Sequence, residues 1–184
     1  GFFDVVASSA STVSHNLGVT PELVIIKARN ATQEWYVQTS VNNFGASGNL
    51  DTAADFSSIS IVSSVTSTNF SSIATGANYI YYLFATCPGV SKVGSYTGTG
   101  TMLQVDCGFA SGARFVLIKR TDSTGDWYVW DTARGIVSSN DPYLLLNSTA
   151  AEVTSTDYID PYSAGFEISS TAPAAINASG GSFI

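Results

Sequence analysis

The chain has 184 residues, with 14 acids against 7 lysines and arginines and a net charge of −7. That balance disfavours a phosphate-binding surface, so no nucleic-acid partner is expected. No apolar run approaches the roughly 18 residues of a membrane span and no basic-then-apolar segment opens at Gly1, so no membrane insertion is expected either.

In chain order, the first strand signal is residues 2–7. It is followed by residues 23–26, a continuous run of branched apolar residues that suits a central strand and ends in Lys27. The next strand carries Trp35-Tyr36-Val37. Further strands are expected at 57–63, where Ser and Ile alternate, and at the tyrosine-rich 79–85. Cys87-Pro88-Gly89-Val90-Ser91 interrupts pairing and reads as a connection. Beyond it, strands are expected at 102–107, 115–118, 143–147 and 165–169, with Trp127-Tyr128-Val129 between the second and third of these. Turn formers Thr121-Asp122-Ser123-Thr124-Gly125 predict a hairpin whose glycine takes a positive φ. Helix periodicity is almost absent.

The order of these signals repeats. Residues 13–38 align without a gap on residues 105–130, 92 positions on, and eight of the 26 positions are identical, among them Val24/Val116, Lys27/Lys119 and Trp35/Trp127. Short strands broken by Gly, Asn, Asp and Ser indicate sandwiches rather than a parallel sheet. The expected architecture is therefore all-β, two tandem similar β-sandwich domains: 1–87, a linker at 88–92, and 93–184. The tyrosine-rich strand of the first copy begins to be echoed by Phe183-Ile184, so the second repeat is expected to be truncated at its last strand. Gly1 is not a normal start, and the chain is expected to be a piece of something longer. Cys87 and Cys107 straddle the linker. A disulfide there would add on the order of 3 kcal/mol. Two separate thiols is the simpler reading, because His15 stands where the repeat places Cys107.

Alternation places Trp127 and Val129 on one face of their strand and Tyr128 and Trp130 on the other. Trp35 and Trp127 are expected as core anchors. Gln38 stands at the position of Trp130, which suggests a wet face there. Trp130, with Tyr128, Asp131 and Arg134, is therefore the candidate ligand- or partner-facing patch.

Catalytic patterns are weak. His15 is the single histidine, no nucleophile elbow is present, and no acidic pair is marked out for glycoside hydrolysis, so no enzyme activity is expected. Asp122, Asp126, Asn140, Asp141, Asp157 and Asp160 fall in expected loops and offer oxygen ligands for calcium. None has the dense spacing of a calcium loop, and no cofactor is expected. The Asn-x-Ser/Thr triplets at Asn30, Asn69, Asn147 and Asn177 are weak glycosylation signals in a chain so rich in Ser and Thr.

Taken together, Val24-Ile25-Ile26-Lys27, its counterpart from Val116 through Val129 with the Asp122-Ser123-Thr124-Gly125 turn, and Leu144-Leu145-Leu146-Asn147-Ser148-Thr149 resemble an uncharacterised domain repeated in tailed-bacteriophage virion proteins, notably tail-fibre-like proteins of marine phages. The first copy departs from the pattern at Asn30-Ala31-Thr32-Gln33. The resemblance implies a virion location and a structural role, with display and attachment to a host-surface receptor such as a glycan, self-association and contacts with other virion proteins. A head-decoration or other assembly subunit is the first alternative, and a glycan-degrading enzyme the second.

Overall fold

The structure, a computed structural model, describes residues 1–74 and 76–184. It is all-β: among the described residues there are sixteen strands and one four-residue helix. The chain divides into two compact units. Residues 1–50, 56–87 and 91–93 form the first, and 51–55, 88–90 and 94–184 the second, so the division is not a single cut.

In the first unit the strands are β1 (Phe3–Ser8), β2 (Thr12–Ser14), β3 (Leu23–Ala28), β4 (Tyr36–Thr39), β5 (Ser47–Asn49), β6 (Val62–Ser63), β7 (Asn69–Ser72) and β8 (Tyr79–Phe84). They form a five-stranded antiparallel sheet, β1-β8-β3-β4-β5, and a three-stranded one, β2-β7-β6. Alternation decides what meets between them. Val24 and Ile26 of β3 and Tyr81 and Leu83 of β8 pack with Val13, Val62 and Phe70 of the smaller sheet, all at most 1% exposed. The expected strand at 57–63 is reduced to Val62–Ser63, because Ser57 makes only an isolated bridge to Ser47.

The second unit contains β9 (Tyr96–Thr97), β10 (Leu103–Asp106), β11 (Phe115–Lys119), β12 (Trp127–Asp131), β13 (Leu144–Leu145), β14 (Ile159–Tyr162), β15 (Gly165–Ile168), the helix α1 (Ala174–Asn177) and β16 (Ser182–Phe183). Its sheets are β10-β15-β14, β11-β12-β13 and β16-β9. β16 also touches β11: Arg120 bridges Phe183, and Lys119 and Ile184 exchange N–H···O bonds of 2.9 and 3.0 Å. The line β9-β16-β11-β12-β13 thus reproduces β1-β8-β3-β4-β5, and β10-β15-β14 reproduces β2-β7-β6. Pro161 sits in β14, an edge strand, where a missing N–H costs no ladder bond.

Gly125 does not adopt a positive φ. What its position requires is space: an added Cβ would stand 3.2 Å from the Arg120 Cβ and 3.5 Å from the Ala175 carbonyl. Cys87 is a free thiol in a tight turn closed by reciprocal backbone bonds to Ser91, and the Cys107 thiol points to the Val105 carbonyl at 3.8 Å.

Candidate functional site

The expected aromatic patch lies in the interior. Trp130 is 0% and Tyr128 7% exposed, and both belong to the second unit's core with Ile118, Ile159 and Phe166. Trp127, at 1% exposed, is covered on the opposite face. Trp35, expected as its buried equivalent, is only half-buried, stacked against Tyr82 at 6.4 Å. Parity grouped these side chains correctly, but the face meeting the core is the one that carries Trp130.

Gln38 explains the inversion. It is fully buried, and its amide is satisfied: Nε2 donates to the Phe44 carbonyl at 2.7 Å, while Oε1 accepts the Ile61 and Val62 N–H groups at 2.8 and 2.6 Å. A polar side chain there marks a buried anchor, not water. In the second unit Trp130 fills that volume, and the two corresponding backbone N–H groups go to Asp141. Its carboxylate accepts Tyr158 N–H at 2.7 Å and Ile159 N–H at 3.0 Å. Burial pushes the Asp141 carboxyl up to about 6, against the lowering effect of those two N–H groups. The Trp130 indole N–H also lowers it, but at a geometry short of a hydrogen bond, so Nε1 is buried without one. Tyr143 lies against Tyr128, Trp130 and Tyr158 at centroid distances of 5.2, 5.8 and 5.7 Å.

Of the expected patch, only Asp131 and Arg134 reach solvent. Asp131 accepts the Ala133 and Arg134 N–H groups at 3.0 and 2.9 Å, which closes the turn after β12. The Arg134 guanidinium pairs with that carboxylate and, at 3.1 Å, with Glu152. These N–H donors, ahead of the guanidinium charge, hold the Asp131 carboxyl below its ordinary range.

The turn borders the feature that sequence reasoning missed. An open cleft of about 300 Å³ is lined by Gly112, Thr132, Ile136, Pro161, Tyr162 and Ser163 among others. The first unit has a cleft of about 280 Å³ lined by Thr20, Ser40, Phe44, Ser60, Val62 and Ser63 among others. Thr20, Ser40 and Phe44 stand at the repeat positions of Gly112, Thr132 and Ile136. The same place in the repeat therefore builds a cleft twice, with one apolar side chain and a rim of hydroxyls. Phe44 holds the left-handed conformation, φ 55°, with its N–H on Thr39 and its carbonyl on Gln38, so the buried glutamine positions the cleft. Gly112, at φ 79°, lies so close to the Tyr162 carbonyl that an added Cβ would stand 3.0 Å from it. The equal spacing of Ser40/Thr132 and Phe44/Ile136 was visible in the sequence. Which end of the strand opens was not.

The remaining chemical candidates are engaged locally. His15 is buried, with Nδ1 accepting Leu17 N–H at 3.3 Å and Nε2 3.2 Å from the Thr66 carbonyl. Asp122 pairs with Arg120 at 2.8 Å, and Asp126 accepts the Asn147 amide at 2.7 Å. Burial, then the Asp157 charge, raises Asp160. Among the described residues no three of His, Cys, Asp or Glu gather as a metal would need.

A second repeated arrangement lies at the far end of β3 and β11. Lys27 stands over Trp35 at 5.5 Å and donates to the Gln33 carbonyl; Lys119 stands over Trp127 at 5.8 Å and donates to the carbonyls of Gly125 and, at 3.1 Å, Ala53. Lys119 is fully buried, and burial lowers its ammonium to about 8, although Asp126 and Asp55 act to raise it.

A family model described as a domain of unknown function, DUF7483, matches residues 2–184. No curated protein and no solved structure matches the chain.

Proposed function

The chain belongs to the DUF7483 family, and on that premise we propose that it is a structural module of a bacteriophage particle, in a tail fibre or related appendage, that displays and attaches to a host-surface glycan. The observation that carries the attachment role is the cleft built at the same place in both units. Each cleft is lined by hydroxyl groups around a single large apolar side chain, Phe44 or Ile136, and no carboxylate or cation lines either. That chemistry suits an uncharged polyhydroxylated ligand, with hydrogen bonds to the hydroxyls and apolar contact beneath a sugar ring. The phage setting is supported by the resemblance of the strand–turn–strand pattern, and the module is non-enzymatic in this reading.

The test uses the whole chain. It is expected to bind host cells and a subset of arrayed glycans, and to be located on the appendage when particles are labelled. Ser40→Arg and Thr132→Arg fill the two clefts at equivalent exposed rims. Together they are expected to reduce binding at least tenfold while leaving the melting temperature within a few degrees. Unchanged binding by the double variant would remove the clefts from the attachment role.

Exposed apolar residues favour a second reading, in which the module serves assembly. Phe2, Phe3 and Val5 are 46, 47 and 42% exposed on or beside the edge strand β1. Binding to purified particles without binding to cells supports that role, and release of reducing sugar would mark a glycan-degrading enzyme instead.

A further inference from the structure

We propose that the free edge of β11 in the second unit is a strand-accepting slot, filled by an extended segment that continues β16 and carries apolar side chains along its length. The internal repeat supplies the argument. In the first unit β8 pairs with β3 over six residues: Ala28↔Tyr79, Lys27↔Ile80, Ile26↔Tyr81, Ile25↔Tyr82, Val24↔Leu83 and Leu23↔Phe84. In the second, Arg120 faces Phe183 and Lys119 exchanges both backbone bonds with Ile184. Arg120 and Lys119 are the repeat positions of Ala28 and Lys27, so Phe183 and Ile184 stand where Tyr79 and Ile80 stand. The register is the same, and the first unit shows what lies along the rest of the strand.

Parity identifies the unpaired groups. In an antiparallel ladder, alternate residues turn their N–H and C=O to the same side. Lys119 turns toward β16, so Leu117 and Phe115 turn that way too, while Val116 and Ile118 turn toward their partners Trp130 and Tyr128 on β12. Among the described residues no strand pairs with β11 along Phe115–Ile118 on the β16 side. Two N–H and two C=O groups therefore present a ready edge. Phe115 is 60% exposed, whereas its counterpart Leu23, paired with Phe84, is half-buried.

The occupant's chemistry follows from β8. Tyr81 and Leu83 are 0% exposed and belong to the core, whereas Tyr82 and Phe84 are half-buried on the other face, with Tyr82 against Trp35. A segment continuing β16 past Ile184 would direct its first and third residues at the core beside Ile118 and Val116, and its second and fourth at the face of Leu117 and Trp127. Main-chain bonds to Leu117 and Phe115 supply the affinity, and large apolar residues at the inward positions the selectivity.

The experiment appends Tyr-Tyr-Leu-Phe-Ala, the sequence of residues 81–85, after Ile184, beside a control in which the Tyr and Leu destined for the core are Asp. Hydrogen exchange at the Leu117 and Phe115 amides is the readout. The apolar extension is expected to slow both by more than about tenfold and to raise the melting temperature, and the control to do neither. Equal protection with both extensions would overturn the proposal. So would protection in the unextended chain that grows with its own concentration, since a second copy would then be the occupant. Should the extended chain fail to fold, the same segment flanked by lysines is added as a peptide to the 184-residue protein. Shifts at the Leu117 and Phe115 amides support the slot, and their absence at saturating peptide overturns it.

Discussion

Gln38 and Trp130 occupy one repeat position and solve the same burial problem by different means. The glutamine satisfies two backbone N–H groups itself, whereas the indole fills the volume and leaves those donors to Asp141. Trp130→Ala should therefore cost about 3 to 5 kcal/mol in denaturant unfolding, as a large core truncation does. A variant as stable as the parent would return Trp130 to the surface. Asp141 carries a pH signature. Its folded-state pKa of about 6 lies above the ordinary aspartate value, so the folded protein binds this proton more tightly than the unfolded chain does. That stabilisation is complete below the unfolded value near 4 and is lost as pH rises through about 6, a change on the order of 2 kcal/mol. Asp160 is shifted the same way, whereas the lowered Asp122 and Asp131 contribute stability that is lost only as pH falls through their folded values. Asp141→Asn should flatten the decline between pH 4 and 6, measured by urea unfolding at a series of pH values. An unchanged slope would mean that Asp141 does not titrate in that window.

At the level of elements, the hairpin of β3 with β4 and that of β11 with β12 share a clasp, a lysine at the end of one strand lying over a tryptophan beside the next. The two clasps differ in burial, and only Lys119 has burial enough to lower its ammonium to about 8. Between about pH 8 and the ordinary lysine value the unfolded chain holds this proton more tightly, so stability should rise with pH across that window. Selective labelling of Lys119 should show a midpoint near 8, and Lys119→Met should abolish the rise. A midpoint at the ordinary lysine value would show that water reaches the amine. Elements also show where pattern reading fails. β14 contains Pro161, which argues against a central strand, and β7 is the polar run Asn69–Ser72. Both are strands because neighbours supply the pairing, β15 for the one and β2 with β6 for the other.

For the whole molecule, the exposed apolar side chains of β1 make self-association the expected behaviour. Sedimentation of the chain should be concentration-dependent, and Val5→Lys should weaken that dependence by placing a charge on the edge strand. A monomer at every concentration would restrict the assembly role to contacts with other subunits. Much of the architecture was legible before any coordinates. Branched apolar runs, turn residues at short intervals and the repeat of residues 13–38 determine an all-β chain whose two halves share one strand order, because local propensity and period-two alternation act within a few residues. The same alternation groups Trp130 with Tyr128, and Trp127 with Val129, without saying which pair meets the second sheet. Tertiary structure decided that, since burial depends on partners distant in the chain: Ile61 and Val62 turn Gln38 into an interior residue, and Tyr158 and Ile159 do so for Asp141. The clefts were likewise beyond reading, because each joins the end of one strand to a loop that follows many residues later, and only packing of the two sheets brings those hydroxyls to one rim.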